Sequence, residues 1–125
     1  YAQRSQHPED DAEKVIAEGD CVRRIDRRMD AAAASGEYIG VAKFSAHAVQ
    51  WLHDHHRRVR EIFMGKVWRD NTVFEKAYLI HLFQEMLEEG VDFHMVTTDG
   101  EYMEIDTEED FALANERWPR QYGEG

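Results

Sequence analysis

Cysteine is nearly absent. Cys21 is the only one in 125 residues, which excludes an internal disulfide and a cysteine-based zinc site. A reducing, cytoplasmic setting is the expectation. Basic residues are scarce as well: 15 Lys and Arg against 26 Asp and Glu leave a net charge of −11. That balance excludes a nucleic-acid-binding surface, where clustered cations must neutralise phosphates. It leaves room for a nucleotide, which needs only a few local cations. No apolar run is long enough to span a bilayer, so no membrane partner is expected, and no signal or transit peptide opens the chain. No internal repeat and no low-complexity linker divides it. The first residue is Tyr1, not Met, and a processed protein or a fragment is expected. What is present, 42% hydrophobic and 33% charged residues, suits the core and surface of one domain or a piece of one.

The most informative stretch is Gly100-Glu101-Tyr102-Met103-Glu104-Ile105-Asp106-Thr107-Glu108-Glu109-Asp110-Phe111. Tyr102, Glu104 and Asp106 alternate with Met103 and Ile105, so a strand ending at Asp106 puts both carboxylates on one face. Thr107 then reads as an N-cap, with Asp110 three residues on completing a capping-box pattern. Glu108, Glu109 and Asp110 fall in the first turn, where the helix dipole favours negative charge. Phe111, Ala114 and Trp118 share one helical face. Open α/β sheets place ligand chemistry at the carboxyl ends of strands. Glu104 and Asp106 are therefore candidate ligands for Mg²⁺, which takes one or two carboxylates plus substrate phosphates. Helix capping alone accounts for the same acidic run.

Residues 1–12 are polar and irregular. From 13 to 25, two strand-like runs flank Glu18-Gly19-Asp20 and predict a β-hairpin. Arg23, Arg24, Arg27 and Arg28 form the one dense basic patch, suited to a phosphate or to blunting a sheet edge. Residues 31–34 form a short helix or loop closed by Gly36. The apolar run 38–44 predicts a strand buried on both faces, and Gly40 within it predicts close approach of a backbone or a ligand. Ser45 is the N-cap of a helix to about Met64, with Ala48, Leu52, Val59 and Ile62 or Phe63 inward. That helix carries His53, His55 and His56, but no HExxH frame supports a metal site there. Residues 65–71 read as a loop. Thr72 and Glu75 form a capping-box pattern for a helix to about Glu89, with a core stripe of Leu79, Leu82, Phe83 and Met86 and a stop at Gly90. Residues 91–97 alternate as a half-buried strand, and Asp99-Gly100 is a hairpin-type turn. Pro119 stops regular structure. The expected class is α/β, a mixed sheet covered by helices.

The words of the sequence go further than its periodicity. The run Phe74-Glu75-Lys76-Ala77-Tyr78-Leu79, then Leu82-Phe83-Gln84-Glu85-Met86, Gly90-Val91 and Tyr102-Met103-Glu104-Ile105-Asp106-Thr107-Glu108-Glu109-Asp110, resembles the C-terminal half of the sugar-phosphate nucleotidyltransferase family. Arg4 with His7-Pro8, Ala12-Glu13-Lys14-Val15 and the stretch from Gly36 to Ser45 agree. The likeness runs from Tyr1 to about Trp118 and leans toward the cytidylyltransferases of phosphonates and phosphocholine, often fused behind a phosphoenolpyruvate mutase domain. It implies a Rossmann-like fold, an Mg²⁺ ion on the triphosphate of an NTP (CTP by preference), and attack of a phosphonate or phosphate acceptor on the α-phosphorus with release of pyrophosphate. On that resemblance Asp106 is the second metal-binding aspartate, with Glu104 a supporting carboxylate. Lys14 and Arg27 are the cations for the phosphates, and Arg4, Gly40 and Glu75 are candidate substrate contacts. Family members carry Gly-Lys where this chain has Asp26-Arg27. The family's N-terminal Gly-rich loop and first metal-binding aspartate have no counterpart here, so the chain is expected to be the C-terminal part of such an enzyme, with a homodimer or a missing N-terminal segment completing it. The alternative is a non-catalytic α/β interaction module that retains the fold.

Overall fold

The computed structural model describes residues 12–98 and 104–117. Strand β1 (Lys14–Glu18) and strand β2 (Cys21–Asp26) form the expected hairpin, antiparallel with Lys14 opposite Asp26 and a bulge between Ile16 and Ala17. The turn favours Gly19, whose φ of +59° strains most residues with a Cβ. β3 (Gly36–Glu37) pairs antiparallel on the other side of β1, giving a three-stranded sheet in the order β2-β1-β3. A short 3-10 turn, Ala31–Ala33, joins β2 to β3 and is capped by the Asp30 carboxylate on the Ala32 N–H.

Helix α1 (Ala46–Phe63) starts where expected, with the Ser45 hydroxyl accepting from the Ala48 N–H at 3.2 Å. Val59 is its buried residue, Leu52 packs on the core, and Ile62 is 53% exposed, so the inward choice at the end is Phe63. Residues 65–71 are not a plain loop. They hold β4 (Val67–Arg69), paired antiparallel with β5 (Thr72–Val73). Asp70 and Asn71 turn the chain between them at φ of 51° and 55°. This is a two-residue hairpin turn with both central residues left-handed, which Asp and Asn tolerate at low cost. Thr72 and Glu75 therefore cap no helix. A 3-10 turn, Phe74–Lys76, intervenes, and helix α2 (Leu79–Glu88) begins only after Tyr78. Its buried residues are Ile80, His81, Leu82, Phe83 and Met86, whereas Leu79 is 54% exposed. Gly90, at φ +91°, ends it as expected: its N–H donates to the Leu87 carbonyl and the Val91 N–H to that of Met86.

The core of this unit, Ala12–Val96, joins the hairpin to α2. Val15, Ile25, Ile80 and Phe83 are its buried centre, with Val22, Tyr38, Phe44, Leu52, Leu87, Phe93 and Met95 packed around it. Each fully buried side chain of this size contributes about 1.5–3 kcal/mol. Phe83 contacts the rings of Tyr38, Phe44 and Phe93 at 5.8, 5.8 and 5.3 Å between centroids. The α2 stripe and the hairpin are further tied by Gln84, whose side-chain carbonyl accepts from the Ile25 N–H at 3.0 Å.

Three expectations are corrected. The sheet is not mixed: every strand pair among the described residues is antiparallel. The strand ends at Glu37, and the run 38–44 that follows is irregular. An apolar run becomes a strand only where a neighbour accepts its hydrogen bonds, and among the described residues the β1 side offers none past Glu13, which takes the Tyr38 N–H. Residues 91–97 likewise carry only an isolated bridge, His94 opposite Cys21, flanked by bonds from Val22 N–H to Phe93 and from Met95 N–H to Asp20.

The second unit contains α3 (Glu108–Arg117). Residues 104–106 have no regular structure, and the rest of the expected strand, with the turn at Asp99-Gly100 and the helical-face residue Trp118, lies outside the described residues. Thr107 and Asp110 form the expected capping box. The Thr107 hydroxyl accepts from the Asp110 N–H at 3.1 Å, and one Asp110 carboxylate oxygen accepts from the N–H groups of both Asp106 and Thr107 at 3.0 Å. Asp110 is 0% exposed. Asp110→Ala strips both donors of their acceptor and is expected to destabilise α3 by about 1–2 kcal/mol. Faster amide exchange at Asp106 and Thr107, with loss of helical signal, is the readout. Asp110→Asn keeps an acceptor oxygen and is expected to lose less.

Candidate functional site

The hairpin register brings Lys14 beside Asp26 and Arg27. Lys14 is 5% exposed, and its ammonium donates to the Arg27 carbonyl at 2.6 Å. That carbonyl is its one hydrogen-bond acceptor among the described residues. An ammonium has three N–H donors, and a buried charge is costly unless they are met. The Arg27 guanidinium lies over the Tyr78 ring, 4.5 Å from its centroid. Of the two cations singled out in the sequence, Lys14 is therefore tied to the Arg27 backbone, and the Arg27 guanidinium lies over Tyr78, the residue before α2.

The remaining arginines of the patch are paired within the fold. Arg23 meets Glu18, Arg24 meets Asp26, and Arg28 meets both the carboxylate and the carbonyl of Asp70. Asp26 also accepts from the Arg28 N–H at 3.0 Å. Burial alone would raise the Asp26 carboxyl, but the Arg28 N–H, the Arg24 guanidinium and the Arg27 N–H outweigh it and hold it below its ordinary 3.8. A lowered carboxyl stabilises the fold fully above its unfolded value, and that contribution is lost as the pH falls through the folded one. Urea midpoints are therefore expected to fall as acid takes the pH below 3.8, and Asp26→Asn is expected to flatten that part of the profile.

Next to this corner is a cleft of about 140 Å³ lined by Ile25, Asp26, Arg69, Asp70, His81 and Gln84. His81 is buried, and its two ring nitrogens are both in use. Nδ1 accepts from the Tyr78 N–H at 3.0 Å, so the ring proton sits on Nε2 and is donated to the Asp70 carboxylate at 3.0 Å. With no free lone pair, this His–Asp pair holds the β4–β5 turn against the start of α2 and is not arranged as a general base. Arg69 donates to Glu85 at 2.5 Å and to Glu88, and its Nε is buried without an acceptor among the described residues. Burial works against the guanidinium charge, yet the bonds it donates to Glu88 and Glu85 and their negative charges overcome it and raise its pKa. The one sign of this network in the sequence is a histidine inside the apolar stripe of α2.

In the second unit, Glu104 and Asp106 are exposed just ahead of the α3 cap. Two exposed carboxylates are hard oxygen donors, and Mg²⁺ keeps several waters and uses one or two such groups, so the donor set fits it. No group of three His, Cys, Asp or Glu side chains is gathered for a metal among the described residues.

The other candidates fall elsewhere. Arg4 lies outside the described residues. Among the described residues nothing lies within 4 Å of where a Gly40 Cβ would stand, so none of their backbone makes the expected close approach, and its φ of +87° is what calls for glycine. Glu75 is exposed and accepts from the Gly65 N–H at 2.6 Å, tying the 3-10 turn to the end of α1. On α1, His55 shares a hydrogen bond with Arg58 and His56 lies against Phe74. Among the described residues no helix is long and apolar enough to cross a membrane. Comparison of the chain with protein-family models, with curated proteins and with solved structures finds no match.

Proposed function

We propose that this chain is the acceptor-binding, metal-completing portion of a Rossmann-like nucleotidyltransferase that moves a nucleotidyl group, cytidylyl by preference, from an NTP to a phosphonate or phosphate. The observation that carries the reading is Lys14: a buried ammonium with one hydrogen bond, held beside Arg27 by the hairpin register. Its unused N–H donors suit phosphoryl oxygens, and the adjacent Arg27 adds a second positive charge. Glu104 and Asp106 would hold Mg²⁺, which when bound neutralises phosphate charge and orients the triphosphate. The Thr107–Asp110 cap supports that role by fixing the backbone of Asp106. Positioning and charge neutralisation are most of what such a transfer asks of a protein.

Titration of 2-hydroxyethylphosphonate and phosphocholine, followed by phosphorus NMR, tests the reading. Binding of either one that is lost in Lys14→Met supports it. A folded chain that binds neither, or binds equally well without the lysine, refutes it.

A second reading, a non-catalytic association module, is favoured by one observation. Val41 and Val96, in the two strand-like runs that lack a ladder, are 75% and 92% exposed.

A further inference from the structure

The segment 37–43 reads Glu-Tyr-Ile-Gly-Val-Ala-Lys and continues out of β3, the edge strand of the three-stranded sheet. In extended form its residues alternate between two faces. Tyr38, Gly40 and Ala42 share a face with Phe44, and Tyr38 and Phe44 both contact Phe83 in the core. Glu37, Ile39, Val41 and Lys43 share the other face. Read outward from Gly40, that face is complementary to itself: an apolar residue on either side, then an acid at one end and a base at the other. Glu37 and Lys43 are exposed, and neither side chain has a partner among the described residues.

We infer that this edge pairs with the same edge of a second copy, antiparallel and centred on Gly40. A two-fold interface must be self-complementary, with residue i meeting j and j meeting i. Centring on Gly40 places Glu37 opposite Lys43 twice and Ile39 opposite Val41 twice. The two sheets then become one, and the backbone of 39–43, which has no strand ladder among the described residues, gains hydrogen-bond partners, as in strand addition generally. Any other register loses the match: a shift of one residue between the strands puts the wrong faces together. The chain bends at Gly40, and glycine straightens from φ +87° without a steric penalty, which a residue with a Cβ there would not share on the return. This inference is independent of the nucleotidyltransferase reading.

Sedimentation velocity over a dilution series of the full chain tests it, with Glu37→Lys, Lys43→Glu and the double exchange Glu37→Lys/Lys43→Glu. Both sites are exposed, and circular dichroism checks that each variant is folded. The expected result is a concentration-dependent dimer. Each single reversal sets like charges opposite at two places and weakens dimerisation about tenfold or more, and the double exchange restores it. A wild-type chain that stays monomeric, single reversals without effect, or a double exchange as weak as the singles would each overturn it.

Discussion

Lys14→Met is expected to raise the stability of the fold while removing phosphoryl binding. The two effects have one cause. An ammonium that is 5% exposed and donates one hydrogen bond is a poorly compensated buried charge. Methionine has nearly the same length and no charge, so the substitution removes desolvation cost and leaves little cavity. Against that, the Arg27 carbonyl loses a donor worth about 1 kcal/mol. The expected balance is a gain of about 1 kcal/mol, read as a higher urea midpoint at unchanged slope. Affinity for a phosphonate is expected to fall about 30- to 100-fold, the loss that follows when a charge-assisted bond is removed. Opposite signs in stability and binding mark a residue kept for a ligand. A Lys14→Met chain that is markedly less stable would make the lysine a structural prop.

His81→Leu is expected to have the largest cost to stability, about 2–3 kcal/mol. Leucine fills the volume but accepts nothing from the Tyr78 N–H at the start of α2, and donates nothing to Asp70. The first loss removes a helix cap, and the second frees the tip of the β4–β5 hairpin from the helix. Asp70→Asn separates the two: it keeps an oxygen for the Nε2 proton and tolerates φ 51°, so it is expected to cost less than half as much. Thermal denaturation of both variants gives the comparison. Equal losses would mean that the charged acceptor which the Asp70 carboxylate offers the Nε2 proton, and not the cap, supplies the stability.

Features that depend on neighbouring residues were legible from the sequence. Two β runs around Gly19, Ser45 before a helical stripe, Gly90 after one and the Thr107–Asp110 box each act within a turn of chain, and each appears in the fold. Features that depend on distant partners were not. The run 38–44 has the composition of a strand, but a strand also needs an adjacent ladder. The Thr72–Glu75 pattern is a real capping-box word, yet the Asp70-Asn71 turn pulls Thr72 into a hairpin first. That turn carries no glycine to announce it. The site divides in the same way. Lys14 beside Arg27 follows from hairpin register, whereas Asp70 meets His81 because a hairpin tip packs on a helix start, which local spacing does not encode.

The central claim is that this chain binds the acceptor of a nucleotidyl transfer and supplies a metal ligand. Calorimetric titration of 2-hydroxyethylphosphonate, with and without Mg²⁺, into the chain and into Asp106→Asn tests it most directly, with CTP titrated in parallel. The expected result is phosphonate binding without CTP, tighter with Mg²⁺ in the natural sequence but not in Asp106→Asn, and weak CTP binding alone. A folded chain with no heat from any of these ligands, or an Mg²⁺ effect that Asp106→Asn leaves intact, would contradict it.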